Sequence, residues 1–76
     1  MKHQNNKYND RIQDSEDKIP EDEPVFLIRA QDKISGDILR TWAQLNEDAG
    51  GDKNLSDQVR QHAKEMDLWP VKKLAD

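Results

Sequence analysis

The sequence contains no cysteine and has little material for a hydrophobic core. Of its 76 residues, 33% are hydrophobic and 5% aromatic, while 37% are charged. The lack of cysteine excludes disulfides and thiol catalysis, and the two histidines supply too few ligands for a zinc site. We therefore expect neither a metal nor another cofactor, and we expect so small a chain to gain stability by oligomerisation.

Long apolar runs are also missing. The longest, Val25 to Ile28, is far shorter than the ~20 residues that a membrane-spanning helix needs. The N-terminus shows no hydrophobic region after its first charges, as a secretory signal would. These absences predict a cytoplasmic protein that does not bind a membrane.

The first part of the chain is acidic and polar. Residues 1–24 hold seven acidic and four basic side chains among many asparagines and glutamines. Such a composition does not offset the entropy of ordering, so residues 1–23 are predicted to form a disordered acidic arm. Its acids Glu21, Asp22 and Glu23 are candidates for docking on a basic partner surface, or they form a solvated tail. The negative charge disfavours nucleic acid as a partner.

Residues Pro24 to Gln31 form the single segment that is typical of a β-strand. No second strand is evident in the sequence, and the backbone groups of a lone buried strand would lack hydrogen-bond partners. We therefore predict that this strand pairs between protomers of a homo-oligomer, a homodimer or larger.

Two amphipathic helices follow the strand. Apolar residues recur at helical spacing on the first, ending at Gly50-Gly51, and on the second, which Pro70 stops. The two stripes are Ile34, Ile38, Trp42, Leu45 and Ala49, then Leu55, Val59, Ala63 and Met66. The pattern predicts an antiparallel helix hairpin that hides both stripes, with Trp42 in the core.

The expected fold is thus α+β and mainly helical, with one strand followed by an antiparallel helix hairpin (β-α-α). Residues 24–70 are expected to form the oligomerisation and interaction domain, and residues 71–76 a C-terminal tail. The sequence shows neither a phosphate-binding glycine loop nor a serine beside a base in a recognised pattern, and we expect no enzyme and no catalytic residue.

Polar side chains at the end of the strand are candidates for binding. Arg29, Gln31 and Asp32 combine a guanidinium, a carboxamide and a carboxylate, which suits a phosphate or a base. The alternative is that Arg29 forms an ion pair between protomers and fixes their register. His62, with Glu65 three residues later, is more simply a histidine at the edge of the core than half of a proton-transfer pair.

The order strand, helix, helix after a polar arm resembles the ribbon-helix-helix repressors, whose paired strands lie in the major groove of DNA. That resemblance implies a DNA-binding dimer with Arg29 and Gln31 among its base-reading positions. The segment Glu23-Pro24-Val25-Phe26-Leu27-Ile28-Arg29-Ala30-Gln31-Asp32 also resembles small uncharacterised proteins of bacteria and their phages, which implies such an origin and assigns no activity.

These observations favour a non-enzymatic acidic interaction protein of bacterial or phage origin. It would act as an inhibitor or adaptor by binding a host protein or complex. A transcriptional regulator of the ribbon-helix-helix type is the alternative. A third hypothesis is a small-ligand or nucleotide binder at a protomer interface.

Overall fold

Two helices form most of the structure. The computed structural model describes residues 2–3 and 13–74. Helix α1 spans Ser35–Asp48 and helix α2 spans Lys53–Leu68. Strands β1 (Lys2–His3) and β2 (Pro24–Val25) precede them and pair in parallel. A short strand followed by two packed helices confirms the coarse form of the predicted fold, β-α-α and mainly helical.

The strand differs from its prediction in length and in partner. Only Pro24–Val25 of the predicted Pro24–Gln31 is a strand, and it pairs with Lys2–His3 of the same chain. The prediction that the chain holds no second strand is therefore wrong. Two residues are too few to show the alternation by which a strand is recognised in sequence. Pairing between protomers stays a prediction.

The predicted arm lies partly outside the described residues, since residues 1 and 4–12 are not among them. Residues 13–23 form turns. The Asp14 carboxylate accepts the backbone N–H of Ile19 at 2.7 Å, and Asp17 adopts a positive φ of 51°. The acidic run thus has local hydrogen bonds immediately before β2.

The connection between the helices depends on Gly50 and on the side chain of Asn46. Gly50 takes a φ of 86°, which only glycine adopts at low cost, and so ends α1 as predicted. Asn46 donates from Nδ2 to the Ser56 hydroxyl at 2.9 Å and to the Asp52 carbonyl at 3.3 Å. Asp52 caps α2 by accepting the backbone N–H of Asn54 at 2.9 Å. A side chain at the end of α1 therefore holds the start of α2.

The helices pack through small side chains. Ala43 on α1 and Ala63 and Ser56 on α2 have no exposed surface. Gly36 lies where an added Cβ would stand 2.1 Å from the Asp67 carboxylate of α2, so it permits close approach of the helices. Because small residues occupy this interface, the axes come close together and larger residues lie beside it.

The predicted apolar stripe of α1 is therefore not the buried face. Trp42 is 45% exposed and Leu45 is 61% exposed, so the prediction that Trp42 lies in the core of the hairpin is wrong. At about 100° per residue, Trp42 lies roughly a quarter turn from Ala43. Leu45 lies farther round, at about 160° from Ala43. The stripe is rotated away from α2 because Ala43, and not the larger residues, faces the partner helix.

Two ion pairs join the helices and confirm that they run in opposite directions. Arg40 bonds Asp67 at 2.7 Å near the start of α1, and Arg60 bonds Glu47 near its end. Each arginine also bonds an acid on its own helix, Arg40 with Asp37 and Arg60 with Asp57. The hydrogen bond from Arg60 lowers the pKa of Glu47, and the same pairing raises the pKa of Arg60.

The C-terminal segment is tied to the turn before α1. Lys73 donates its backbone N–H to the Gln31 carbonyl at 2.7 Å and accepts from Lys33 at 2.9 Å. The Lys72 ammonium donates to the carbonyl oxygens of Ala30, at 2.7 Å, and Met66. Met66 belongs to the last turn of α2, and its carbonyl also accepts the backbone N–H of Trp69 at 3.1 Å. Lys72 thus links the end of α2 to the turn before α1.

We expect the substitution Lys72→Met to lower the free energy of unfolding by about 1–3 kcal/mol, because it removes a charged donor from two carbonyl oxygens. The matched control is Lys64→Met, at an exposed position on α2. It should change stability by less than about 0.5 kcal/mol. Urea unfolding followed by circular dichroism at one fixed protein concentration measures both. Equal losses in the two variants would contradict the role of Lys72.

We expect the Glu47–Arg60 pair to make stability fall in acid. A carboxyl whose pKa is lower in the folded protein stabilises the fold above its ordinary value, which is 4.5 for Glu47. That stability is lost as the pH falls through the lowered folded pKa. The variant Glu47→Gln keeps an oxygen for Arg60 but does not titrate, so it should be less stable than the natural chain at neutral pH.

The stability difference between Glu47→Gln and the natural chain should shrink toward zero as the pH falls well below 4.5. Urea unfolding midpoints across this range measure it. Asp48→Asn removes an acid of α1 whose partner is the neutral Gln44 side chain, and controls for the loss of one negative charge. A Glu47→Gln difference that does not change with pH would show that the pair adds nothing through charge.

Candidate functional site: an apolar groove between the helices

An open groove runs along one side of the helix hairpin. Its volume is about 520 Å³. We call it the apolar groove, and its lining comprises Ile28, Ile38, Leu39, Trp42, Leu55, Gln58, Val59 and His62. Six of these eight side chains are apolar. The groove therefore suits an apolar surface more than a charged ligand.

The groove follows from the spacing of residues on both helices. Ile38 and Trp42 are one turn apart on α1, and Leu55, Val59 and His62 lie at intervals of four and three on α2. The helices touch through small residues, so these larger side chains stand as two walls beside the contact. Ile28, from the segment between β2 and α1, completes the lining.

Further apolar side chains are exposed outside the groove lining. Ile34, just before α1, and Leu45 on α1 belong to the same sequence stripe as Trp42, and they are 50% and 61% exposed. Phe26 and Leu27, next to the lining residue Ile28 in sequence, are exposed as well. Isolated apolar residues are ordinary on a protein surface, whereas contiguous apolar patches are typical of interaction sites.

The polar groups of the lining are few. Gln58 supplies a carboxamide, and His62 has its Nδ1 atom 2.9 Å from the Glu65 carboxylate, which is exposed. His62 and Glu65 thus share one helical face at the edge of the groove, and a role in proton transfer stays the less simple hypothesis. Within residues 2–3 and 13–74 no three potential metal ligands come together.

Charged residues occupy the other side of the hairpin. The two ion pairs between the helices use positions 40, 47, 60 and 67. On a helical wheel, Arg40 and Glu47 are rotated from Ala43 in one direction, whereas Ile38 and Trp42 are rotated in the other. The same division holds on α2, where Arg60 and Asp67 lie opposite Leu55 and His62 about Ala63. The hairpin thus has one charged and one apolar side.

The structure places Arg29, Gln31 and Asp32 in the turn before α1. The Asp32 carboxylate accepts the backbone N–H of Ile34 at 3.1 Å, and the Gln31 carbonyl accepts the backbone N–H of Lys73. Arg29 is exposed, next to the lining residue Ile28. Part of this cluster therefore holds the turn and the C-terminal segment in place. A role in binding stays a prediction.

Glu21, Asp22 and Glu23 are exposed in a turn immediately before β2. The backbone N–H of Glu23 donates to the Pro20 carbonyl at 3.1 Å. Their side chains are thus available to a basic surface, in keeping with the predicted docking role, which stays a prediction.

The groove does not follow from the hydropathy pattern, because that pattern assigns the large apolar residues to the contact between the helices. A signal for the true contact was present. Small residues recur seven positions apart on each helix, as Gly36 and Ala43 on α1 and as Ser56 and Ala63 on α2. Two helical turns take about seven residues, so this spacing places small residues in line along one face.

Comparisons with known proteins add no family to this geometry. No family model, no curated protein and no solved structure matches the chain. The two resemblances noted in the sequence therefore rest on the residues that suggest them.

Within the described part of the chain, no helix combines the length and the hydropathy that crossing a bilayer requires.

Proposed function

We propose that this chain is a non-enzymatic interaction protein that binds an amphipathic helix of another protein in the apolar groove. The supporting observation is the groove itself, an open cleft of about 520 Å³ with the half-exposed ring of Trp42 in its wall. It supports the wider hypothesis of an inhibitor or adaptor, since such proteins act by occupying a partner's surface. The proposed bacterial or phage origin rests on the sequence resemblance alone.

A helix is the element that best fits this surface. Helices pack at axial separations of about 8–10 Å, so a third helix can lie over the furrow between two antiparallel ones. Apolar residues of that helix at spacings of three and four would reach the walls formed by Trp42 on α1 and Val59 on α2. Tryptophan is enriched among the residues that dominate binding energy at protein interfaces.

The polar content of the groove favours a protein over a nucleotide. A nucleotide site needs charged groups to hold phosphate, whereas Gln58 and His62 are the polar residues of this lining. The cations Arg40 and Arg60 are paired with acids on the other side of the hairpin. Binding in the groove would therefore depend mainly on the burial of apolar surface.

The ribbon-helix-helix hypothesis gains no comparable support. A DNA-reading ribbon needs a strand long enough to present several side chains to base edges. Here β2 has two residues, and Arg29 and Gln31 lie beyond its end. The chain also carries a net charge of −4, which opposes contact with phosphates.

Selection of helical peptides tests the proposal. The protein is immobilised at low surface density, so that copies stay apart, and a displayed library of amphipathic helical peptides is passed over it. We expect the selected peptides to share apolar residues at helical spacing. We expect Trp42→Ala to weaken their binding by on the order of 30-fold, as loss of a central aromatic residue does.

Trp69 provides the matched control. It is also a half-exposed tryptophan, 54% exposed, but it lies outside the groove lining. Trp69→Ala should leave peptide affinity within about threefold of the natural chain, the change expected of a residue outside an interface. Failure to select any peptide, or equal losses in the two variants, would contradict binding in the groove.

A further inference from the structure

We propose that a second copy of this chain supplies the helix that occupies the apolar groove, so that two hairpins pack face to face as a homodimer. This inference rests on the helix-binding groove of the proposed function and names what fills that groove while no other protein is bound. It places the interface on α1 and α2, whereas the sequence had suggested β2. Four observations lead to it, and the first is the small core.

The single chain buries very little apolar material. Its buried hydrophobic residues, within the described part of the chain, are Ala43, Ala63 and Met66. The largest side chains with almost no exposure are Ser35 and Ser56. A domain of this size normally depends on buried leucine, isoleucine or aromatic side chains, or on oligomerisation. The groove residues are the apolar material that a partner would bury.

Large apolar side chains of the groove lining are exposed in the single chain. Trp42 is 45% exposed and Leu55 is 44% exposed, on opposite walls of the groove. Contiguous exposed apolar side chains of this kind are typical of surfaces that a partner covers.

The charge pattern permits two copies to meet on this side. With 37% of its residues charged, most of the surface would bring charged groups together, and the net charge of −4 adds a repulsion between copies. The groove lining contains no acidic or basic residue other than His62. The ion pairs of Arg40 and Arg60 face away from it, so a face-to-face contact brings few like charges together.

A second copy of the chain is available as a partner and can meet the first across a two-fold axis. Wherever the chain is made, other copies of it are also present. Most soluble homodimers use a two-fold axis, which sets the same patch of both copies against itself. Here that patch contains an exposed apolar ridge, Trp42 and Leu45 on α1, beside the groove it would fill. The ridge of each copy would enter the groove of the other.

Sedimentation equilibrium of the natural chain tests the inference. We expect a dimer at micromolar concentration and an unfolding midpoint that rises with protein concentration. Trp42→Glu places a carboxylate in the interface and should weaken the dimer by on the order of 100-fold. Leu68→Glu is the control, since Leu68 is 82% exposed and absent from the groove lining. It should remain a dimer.

Crosslinking tests the same interface even if the Trp42→Glu variant fails to fold. The chain has no cysteine, so a single one can be labelled cleanly. A benzophenone attached to Gln58→Cys, in the groove, should crosslink to a second copy on illumination. The same label on Gln61→Cys, which is exposed on α2 and outside the lining, should not.

Three outcomes would overturn the inference: a natural chain that sediments as a monomer, equal weakening by Trp42→Glu and Leu68→Glu, or equal crosslinking from positions 58 and 61. None of them decides the proposed function. The peptide selection uses chains held apart on a surface, so a monomer that still binds helical peptides through Trp42 would retain that function with a different partner.

Discussion

The packing of α1 against α2 through small side chains determines the rest of the molecule. Ala43 and Ala63 are fully buried where the helices meet. Because Gly36 has no side chain, the Asp67 carboxylate of α2 lies where a Cβ atom at this position would clash with it. A contact made of such residues leaves no room for leucine or tryptophan between the axes. The larger apolar residues therefore lie beside the contact, and the groove follows from this displacement.

The same contact separates charge from apolar surface. Arginines at positions 40 and 60 reach across to acids of the opposite helix on one side, and these pairs fix the register of the hairpin. The Arg40–Asp67 pair is exposed, and such pairs add little stability individually. The Arg60–Glu47 pair is part-buried. The larger effect of both pairs is to keep these four charged groups on the side opposite Trp42, and the groove lining holds no acidic or basic residue other than His62. The positions of Arg40 and Arg60 thus set both the register of the hairpin and the side on which these ion pairs lie.

The sequence predicts the helices well because their signals are local. Gly50 and Pro70 mark their ends, and the spacing of apolar residues marks their existence. Which face of α1 is buried depends on how closely each face can pack against α2, and the local spacing of apolar residues does not show this. Hydropathy alone assigns Trp42 and Leu45 to the core, but the line of small residues from Gly36 to Ala43 packs more closely.

Strand β1 is not predicted by the sequence for another reason: Lys2–His3 pairs through backbone groups, which leave no side-chain pattern. The roles of Asn46 and Lys72 depend on contacts between segments far apart in sequence.

Self-association and binding of another protein would use the same groove and therefore exclude each other. A foreign helix must displace the second copy, and its apparent affinity falls by the fraction of chains whose groove is open. A dimer would thus keep the apolar surface covered while the chain is free. It would also restrict binding to partners whose helices bury more apolar surface, or pair better with Gln58 and His62, than the chain's own helix does. Selectivity would arise in this way from a groove that has few polar groups of its own.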